Sequence, residues 1–409
     1  MKLNNRTAIT VFVVTLFSLL LALISSHDNV SVKISTDHDA FKLGLIELPV
    51  FGTLWTCAWL SIAMSALALT MRWVLKRKVP GVITGLNFVF FAWAALVYLY
   101  HGNTMTLTSL LQGSLALSVP LIFGSMSGVL SERVGVVNIA IEGQLLFGAF
   151  TSAMVATLTH SLWLGLISAL VAGSLVAWLL AVFSIKYRVD QIIVGVVVNV
   201  LVAGLTNFLY GTLMQGNPFV FNQPERFKDL PIPGLSGIPI IGPVFFNQTA
   251  IVYLMYVALA VVYIALFKTK WGLRVRAVGE YPKAADTVGI DVFRTRYTSV
   301  LIGGALAGLG GSFFTLGEVG AFGQNMTNGA GYIALAALIF GRWNPLLAAC
   351  AALLFGFAEN LQYGLAIIGS PLPSEFLLML PYVLTVIAVA GLVGKVTGPA
   401  ASGKPYIKQ

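Results

Sequence analysis

Three carboxylates lie well inside apolar stretches of this sequence: Glu142, Glu318 and Glu359. A carboxylate at membrane depth is costly, so it faces a cavity or a partner. Glu142 stands in Val137-Asn-Ile-Ala-Ile-Glu-Gly-Gln144, and on a helix Asn138 and Glu142 would be four apart and share a face. Gly143 lets the backbone bend or a neighbour approach closely. One reading makes this a polar patch lining a solute route. The other makes it a helix-to-helix hydrogen bond that holds a bundle. Glu318 and Glu359 sit nearer the ends of their stretches, which favours structural or interfacial roles.

Neutral polar residues also interrupt the apolar stretches: Asn199, Asn207, Gln324, Asn325, Asn328, Asn360 and Gln362. An uncharged polar solute needs such donors and acceptors, and a membrane bundle uses the same groups between helices. Asn138, Glu142, Asn199, Asn207 and Asn325 are the residues expected along a solute route. Enzyme motifs are missing: Gly394-Lys395-Val396 lacks the phosphate-cradling pattern, and neither HExxH nor GxSxG occurs. The four histidines are scattered, and Cys57 and Cys350 lack ligand spacing. No catalytic residue, metal or chain-bound cofactor is expected.

The elements that hold these residues follow from composition. Of 409 residues, 58% are hydrophobic and 10% charged, against about 25% charged in a soluble domain. The mean hydropathy is +0.89. The expected fold is all-α, a polytopic transmembrane helical bundle. Spans of roughly 20 apolar residues are expected near 8–26, 49–71, 82–100, 107–130, 136–159, 161–185, 190–214, 248–267, 298–317, 319–341, 345–368 and 376–394, about twelve in all. The first half of 319–341, from Val319 to Gly331, is polar and Gly-rich, which suggests a broken or re-entrant element. Lys2 and Arg6 before an apolar run also suit a signal peptide, but the run is long and Ala22–Ser26 makes a poor cleavage site.

With the N-terminus placed inside, twenty basic residues fall in inner segments and four, Lys33, Lys42, Arg226 and Lys228, in outer ones. This positive-inside asymmetry predicts a multi-pass protein of the cell membrane with both termini cytoplasmic. The net charge of +9 then records orientation rather than a nucleic-acid partner. The outer loop 215–247 is rich in Pro and Gly, an irregular cap. The inner loop 268–297 carries a short-helix signal from Tyr281 to Gly289, with Pro282 in its first turn. An energised carrier with no ATP site has to borrow one, and this charged loop is the natural docking surface. Similar Gly-rich plans around Gly124–Gly128 and Gly303–Gly341 suggest a five-plus-five inverted repeat with two added N-terminal spans. The expected division is 1–106 as an N-terminal extension whose third span joins the core, 107–395 as the core, and 396–409 as a cytoplasmic tail.

Three segments carry a resemblance. Trp271-Gly-Leu-Arg-Val-Arg-Ala-Val-Gly-Glu-Tyr-Pro-Lys-Ala-Ala-Asp-Thr-Val-Gly-Ile290 resembles the signature loop of permeases in the ribose, branched-chain amino acid and nucleoside importer superfamily. Ser131-Glu-Arg-Val-Gly-Val-Val-Asn-Ile-Ala-Ile-Glu-Gly143 and Tyr332-Ile-Ala-Leu-Ala-Ala-Leu-Ile-Phe-Gly-Arg-Trp-Asn-Pro345 resemble its nucleoside and simple-sugar branch, and the likeness covers 107–395. It implies a membrane subunit of an ATP-binding cassette importer for nucleosides. The alternatives are a simple-sugar permease and a carrier or channel without ATPase. The resemblance also implies a cytoplasmic ATPase that holds ATP and Mg, a second and related permease subunit, and an extracytoplasmic solute-binding lipoprotein. By the same likeness Glu280, Tyr281, Pro282, Ala284, Ala285, Asp286, Gly289 and Ile290 belong to the coupling helix that enters the ATPase. Asp190-Gln191 departs from the Asn-Glu pair expected of nucleoside members and leaves open which base or sugar is taken.

Overall fold

The computed structural model describes residues 6–35, 44–368, 376, 379 and 397–408. In chain order the first elements are α1 (Arg6–Leu23), β1 (Asn29–Lys33), β2 (Ile46–Pro49), α2 (Val50–Leu69), α3 (Gly81–Leu99) and β3 (Thr104–Thr106). Then come α4 (Leu107–Arg133), α5 (Ile141–Thr159), α6 (Leu162–Ala181), α7 (Gln191–Leu209), α8 (Pro218–Phe221) and the short strands β4 (Leu230–Pro231) and β5 (Asn247–Gln248). The remainder is α9 (Ala250–Lys268), α10 (Lys270–Glu280), α11 (Pro282–Thr287), α12 (Val292–Ser312), α13 (Ala330–Phe340) and α14 (Pro345–Ile367). Among the described residues nine helices are long and apolar enough to cross a membrane, and two apolar helices, Thr7–Leu23 and Ala330–Phe340, are shorter. The chain is a polytopic helical bundle. The expected span at 376–394 lies outside the described residues except for 376 and 379.

Two compact units divide the chain. The first comprises Met1–Leu111, Pro233–Val244 and Leu361–Leu380. In it α1, α2 and α3 pack together, and a three-stranded sheet of order β2-β1-β3 pairs β1 antiparallel with β2 and parallel with β3. The helix contacts are joined by neutral groups. Asn87 on α3 donates to Thr15 Oγ1 on α1 at 3.0 Å, and Thr15 donates to the carbonyl of Ser61 on α2 at 3.1 Å. Such bonds hold membrane helices because lipid supplies no competing partner.

The second unit comprises Gln112–Ile232, Phe245–Asn360 and Pro381–Gln409. From Gly113 onward α4 is almost wholly buried within it. Small residues on α5, α6 and α12 let backbones meet: a Cβ on Gly308 would collide with the carbonyl of Ala169, and one on Gly304 with that of Gly173. The GxxxG pair at Gly304 and Gly308 is therefore a packing device. Two helix starts are fixed by Asp side chains. Asp190 caps α7 by accepting from Ile192 N–H at 2.8 Å, and Asp291 caps α12 by accepting from Arg294 N–H at 2.9 Å.

The expected spans need one correction, at the start of 136–159. Residues 136–138 carry no helix, and α5 begins only at Ile141. Gly135 turns the chain at φ 88°, and the side chain of Gln191 takes the N–H of Val137 at 2.7 Å. Asn138 and Glu142 therefore do not share a helical face. The 319–341 segment is broken, as its polar first half suggests: residues 320–329 carry no helix, and Ala330–Phe340 is helical.

Candidate functional site

The break before α13 places a helix N-terminus inside the second unit. Such an end exposes N–H groups with no intrahelical partner and carries partial positive charge. The carboxylate of Glu142, in the first turn of α5, meets it. Its Oε1 accepts from the Thr327 hydroxyl at 2.6 Å and from Gly329 N–H at 2.9 Å, and its Oε2 accepts from Gly331 N–H at 2.7 Å. Three donors thus satisfy both oxygens of this half-buried carboxylate. The fit requires bare backbone at Gly331, since a Cβ there would strike the N and Cα of Glu142. Gly329 turns into the helix at φ 84°, a left-handed conformation that suits glycine.

Asn199, on α7, braces the same junction. Its carbonyl accepts from Gly143 N–H at 2.8 Å, and its amide donates to Ile139 O at 2.8 Å and to the Tyr332 hydroxyl at 3.2 Å. One side chain thus joins α7, the start of α5 and the first turn of α13. Asn138 turns the other way. Its amide donates to Ser127 Oγ, Ser131 Oγ and Gln144 Oε1 at 3.2, 3.4 and 3.2 Å, and its carbonyl accepts from Gln144 at 3.3 Å. This network is fully enclosed. Asn138 therefore ties the 136–140 segment to α4.

The five residues expected on a solute route thus occupy different settings. Glu142 and Asn199 meet at the broken helix, and Asn138 lies in the enclosed network. Asn325 is exposed on the turn before α13, at φ 51°, with Gln324 and Asn328 also exposed. Asn207 lies two turns beyond Asn199 on α7, its Oδ1 enclosed and without a partner among the described residues. Sequence reasoning missed Thr327, Gly329, Gly331 and Tyr332. Of these, only the Gly-Ala-Gly run at 329–331 carried a signal, as a place where backbone can approach closely. Glu318 is exposed beside a hollow of about 760 Å³ lined also by Glu225, Arg226, Lys228 and Asp229. Glu359 is half-buried on α14.

The inner loop folds as its punctuation predicts. Thr269 caps α10 by accepting from Gly272 N–H at 3.1 Å, and α10 ends at Glu280. Tyr281 then turns the chain, Pro282 begins α11, and Gly289 ends the turn at φ 83° with its N–H on Asp286 O at 2.9 Å. Ala285 is buried, and Ile290 N–H bonds back to its carbonyl at 3.0 Å. Glu280, Tyr281, Ala284 and Val288 are exposed, so the outer face of α11 is open.

The family described as the permease component of the branched-chain amino acid transport system matches residues 110–389. The chain belongs to this family. It is a multi-pass membrane permease, a transporter component rather than an enzyme. It is 41% identical over 315 residues to the guanosine ABC transporter permease protein NupQ of Bacillus subtilis, covering 74% of this chain and 97% of that one. It is 39% identical over 316 residues to the nucleoside ABC transporter permease protein NupC of Lactococcus lactis, covering 74% and 98%. It is 35% identical over 255 residues to the putative glucose ABC transporter permease protein TsgC13 of Haloferax volcanii, covering 62% and 76%. No solved structure matches the chain.

Proposed function

We propose that this permease carries nucleosides inward by alternating access, as the membrane-spanning subunit of an ATP-binding cassette importer. The observation that carries the reading is the Glu142 carboxylate on the start of α13. A half-helix N-terminus inside a transporter ordinarily offers its positive end to an anionic solute. Here a resident carboxylate neutralises it. An amino-acid carboxylate brought to that end would face a like charge, whereas an uncharged solute would not. The exposed Asn325 and Asn328 amides supply neutral donors and acceptors, and the half-exposed ring of Tyr332 offers an aromatic face. Base, ribose and no charge describe a nucleoside. The relatives named for guanosine and nucleoside transport support the same substrate.

In this reading Glu142 and Asn199 position the broken helix, and Asn325 and Tyr332 face the solute. Asn138 and Asn207 act behind that surface. The segment Glu280–Ile290 is the lever, gripped by a cytoplasmic ATPase that holds ATP and Mg. A second, related permease completes the route, and an extracytoplasmic solute-binding lipoprotein delivers the solute. The termini face the cytoplasm, as the basic residues direct.

The test is ATP-dependent uptake of labelled guanosine by the assembled importer in proteoliposomes. Excess adenosine should suppress it, and excess leucine should leave it unchanged. Suppression by leucine but not by adenosine overturns the nucleoside reading. The relative named for glucose favours a second reading, a simple-sugar permease. Suppression by free ribose or glucose at concentrations that match adenosine would support that one.

A further inference from the structure

The segment 397–408 is not a loose tail. It runs across the inner loop, from the end of α10 to the first turns of α12. Ala401 N–H donates to Gly279 O at the end of α10 at 2.9 Å, and Ala400 N–H reaches the Glu280 carboxylate at 3.4 Å. The Tyr406 hydroxyl donates to Asp286 Oδ2 on α11 at 2.7 Å, and its ring packs on Phe293 of α12 at 5.5 Å between centroids. Between these points Arg296 of α12 donates to Lys404 O at 3.2 Å. Ala401 is 4% and Tyr406 5% exposed, so the segment is seated rather than laid on the surface. Three successive elements, α10, α11 and α12, are thereby pinned by one strand of chain.

We infer that Tyr406, through its bond to Asp286, positions the α11 lever and makes its displacement drive α12. The physical reason is stiffness. A six-residue helix bounded by Tyr281 and Gly289 can rotate about those turns without moving its neighbours. A second attachment, from Asp286 through Tyr406 to Phe293, removes that freedom. A push on the exposed face of α11 then passes to α12, whose far end precedes the broken helix at 320–329. Tyr406 touches neither solute nor nucleotide. It acts through Asp286, and the bond is charge-assisted, hence among the stronger kinds.

This inference rests on the reading of α11 as the coupling lever, and the experiment separates the two. The assembled importer, reconstituted with its ATPase, second permease and binding protein, is assayed for labelled guanosine imported per ATP hydrolysed. Tyr406→Phe keeps the ring on Phe293 and removes only the hydroxyl. It should lower the transport-to-hydrolysis ratio about tenfold or more, the scale of one charge-assisted hydrogen bond, while hydrolysis continues. Asp286→Ala should do the same, and the double variant should be no worse than either single one. Asp286→Asn, whose amide oxygen still accepts the bond, should restore most of the ratio. An unchanged ratio in Tyr406→Phe, with uptake abolished when Lys283–Thr287 is removed, overturns the strap and leaves the lever standing. Uptake that survives removal of Lys283–Thr287 overturns the lever and the strap together. A fall in assembled importer with the ratio unchanged shows a merely structural contact and also overturns the inference.

Discussion

α13 and α11 are both short helices with a left-handed glycine turn at one end, Gly329 before α13 and Gly289 after α11, yet they are finished in opposite ways. At α13 the exposed N–H groups are met from within the chain by Glu142, and Asn199 braces the seat. At α11 the inner side is tied down while Tyr281, Ala284 and Val288 are left exposed, with Val288 at 75%. The difference teaches which surface is complete. Inside the membrane an unmet polar group has no water to turn to, so the chain supplies its own partner. At the inner face water can meet an open surface, and in the proposed reading the ATPase would cover it.

The comparison breaks most severely at Gly331. Gly331→Ala drives a methyl into the backbone of Glu142, so little folded permease should be recovered from membranes, and fluorescence-detected size exclusion would show it. Glu142→Ala comes next. It strands three donors, and loss of bonds to a charged acceptor costs about 3 kcal/mol or more. The thermal midpoint of the purified permease should fall, and uptake should drop at least a hundredfold. Ala284→Arg sharpens the other side. It alters only the exposed face of α11, so the permease should keep its thermal midpoint while guanosine uptake and ATPase recovery in pull-downs fall about tenfold. The smallest effect belongs to Asn325→Gly, which preserves the positive φ but removes the amide. It should raise the half-saturating solute concentration by several-fold, about 1 kcal/mol for one hydrogen bond, with no change in stability.

Local punctuation was legible; distant partnership was not. Pro282 and Gly289 bound α11 from within their own sequence window, so its place and length could be read directly. The polar run from Val319 marked a broken helix for the same reason. Glu142 stood out as a carboxylate among apolar residues, but its partners lie 185 to 189 residues away. Periodicity within one segment cannot supply them. The pairing of Asn138 with Glu142 on one face failed because helical spacing was extended back to 136, just past the turn at Gly135. There a turn and the Gln191 side chain take the backbone instead. The Asp190-Gln191 pair, out of family order, gains a plain role in the fold: Asp190 caps α7 and Gln191 holds Val137. The attachment of 397–408 left no mark in sequence, because a lone tyrosine in a polar stretch has no period to betray it.

Hydrogen exchange across residues 327–333 of the assembled permease tests the Glu142 seat most directly. The amides of Gly329 and Gly331 should be protected in the parent chain and should exchange about a hundredfold faster in Glu142→Gln, which keeps the shape and loses the charge. Equal protection in the two proteins would mean that the broken helix stands without that carboxylate, and the argument for an uncharged solute would go with it.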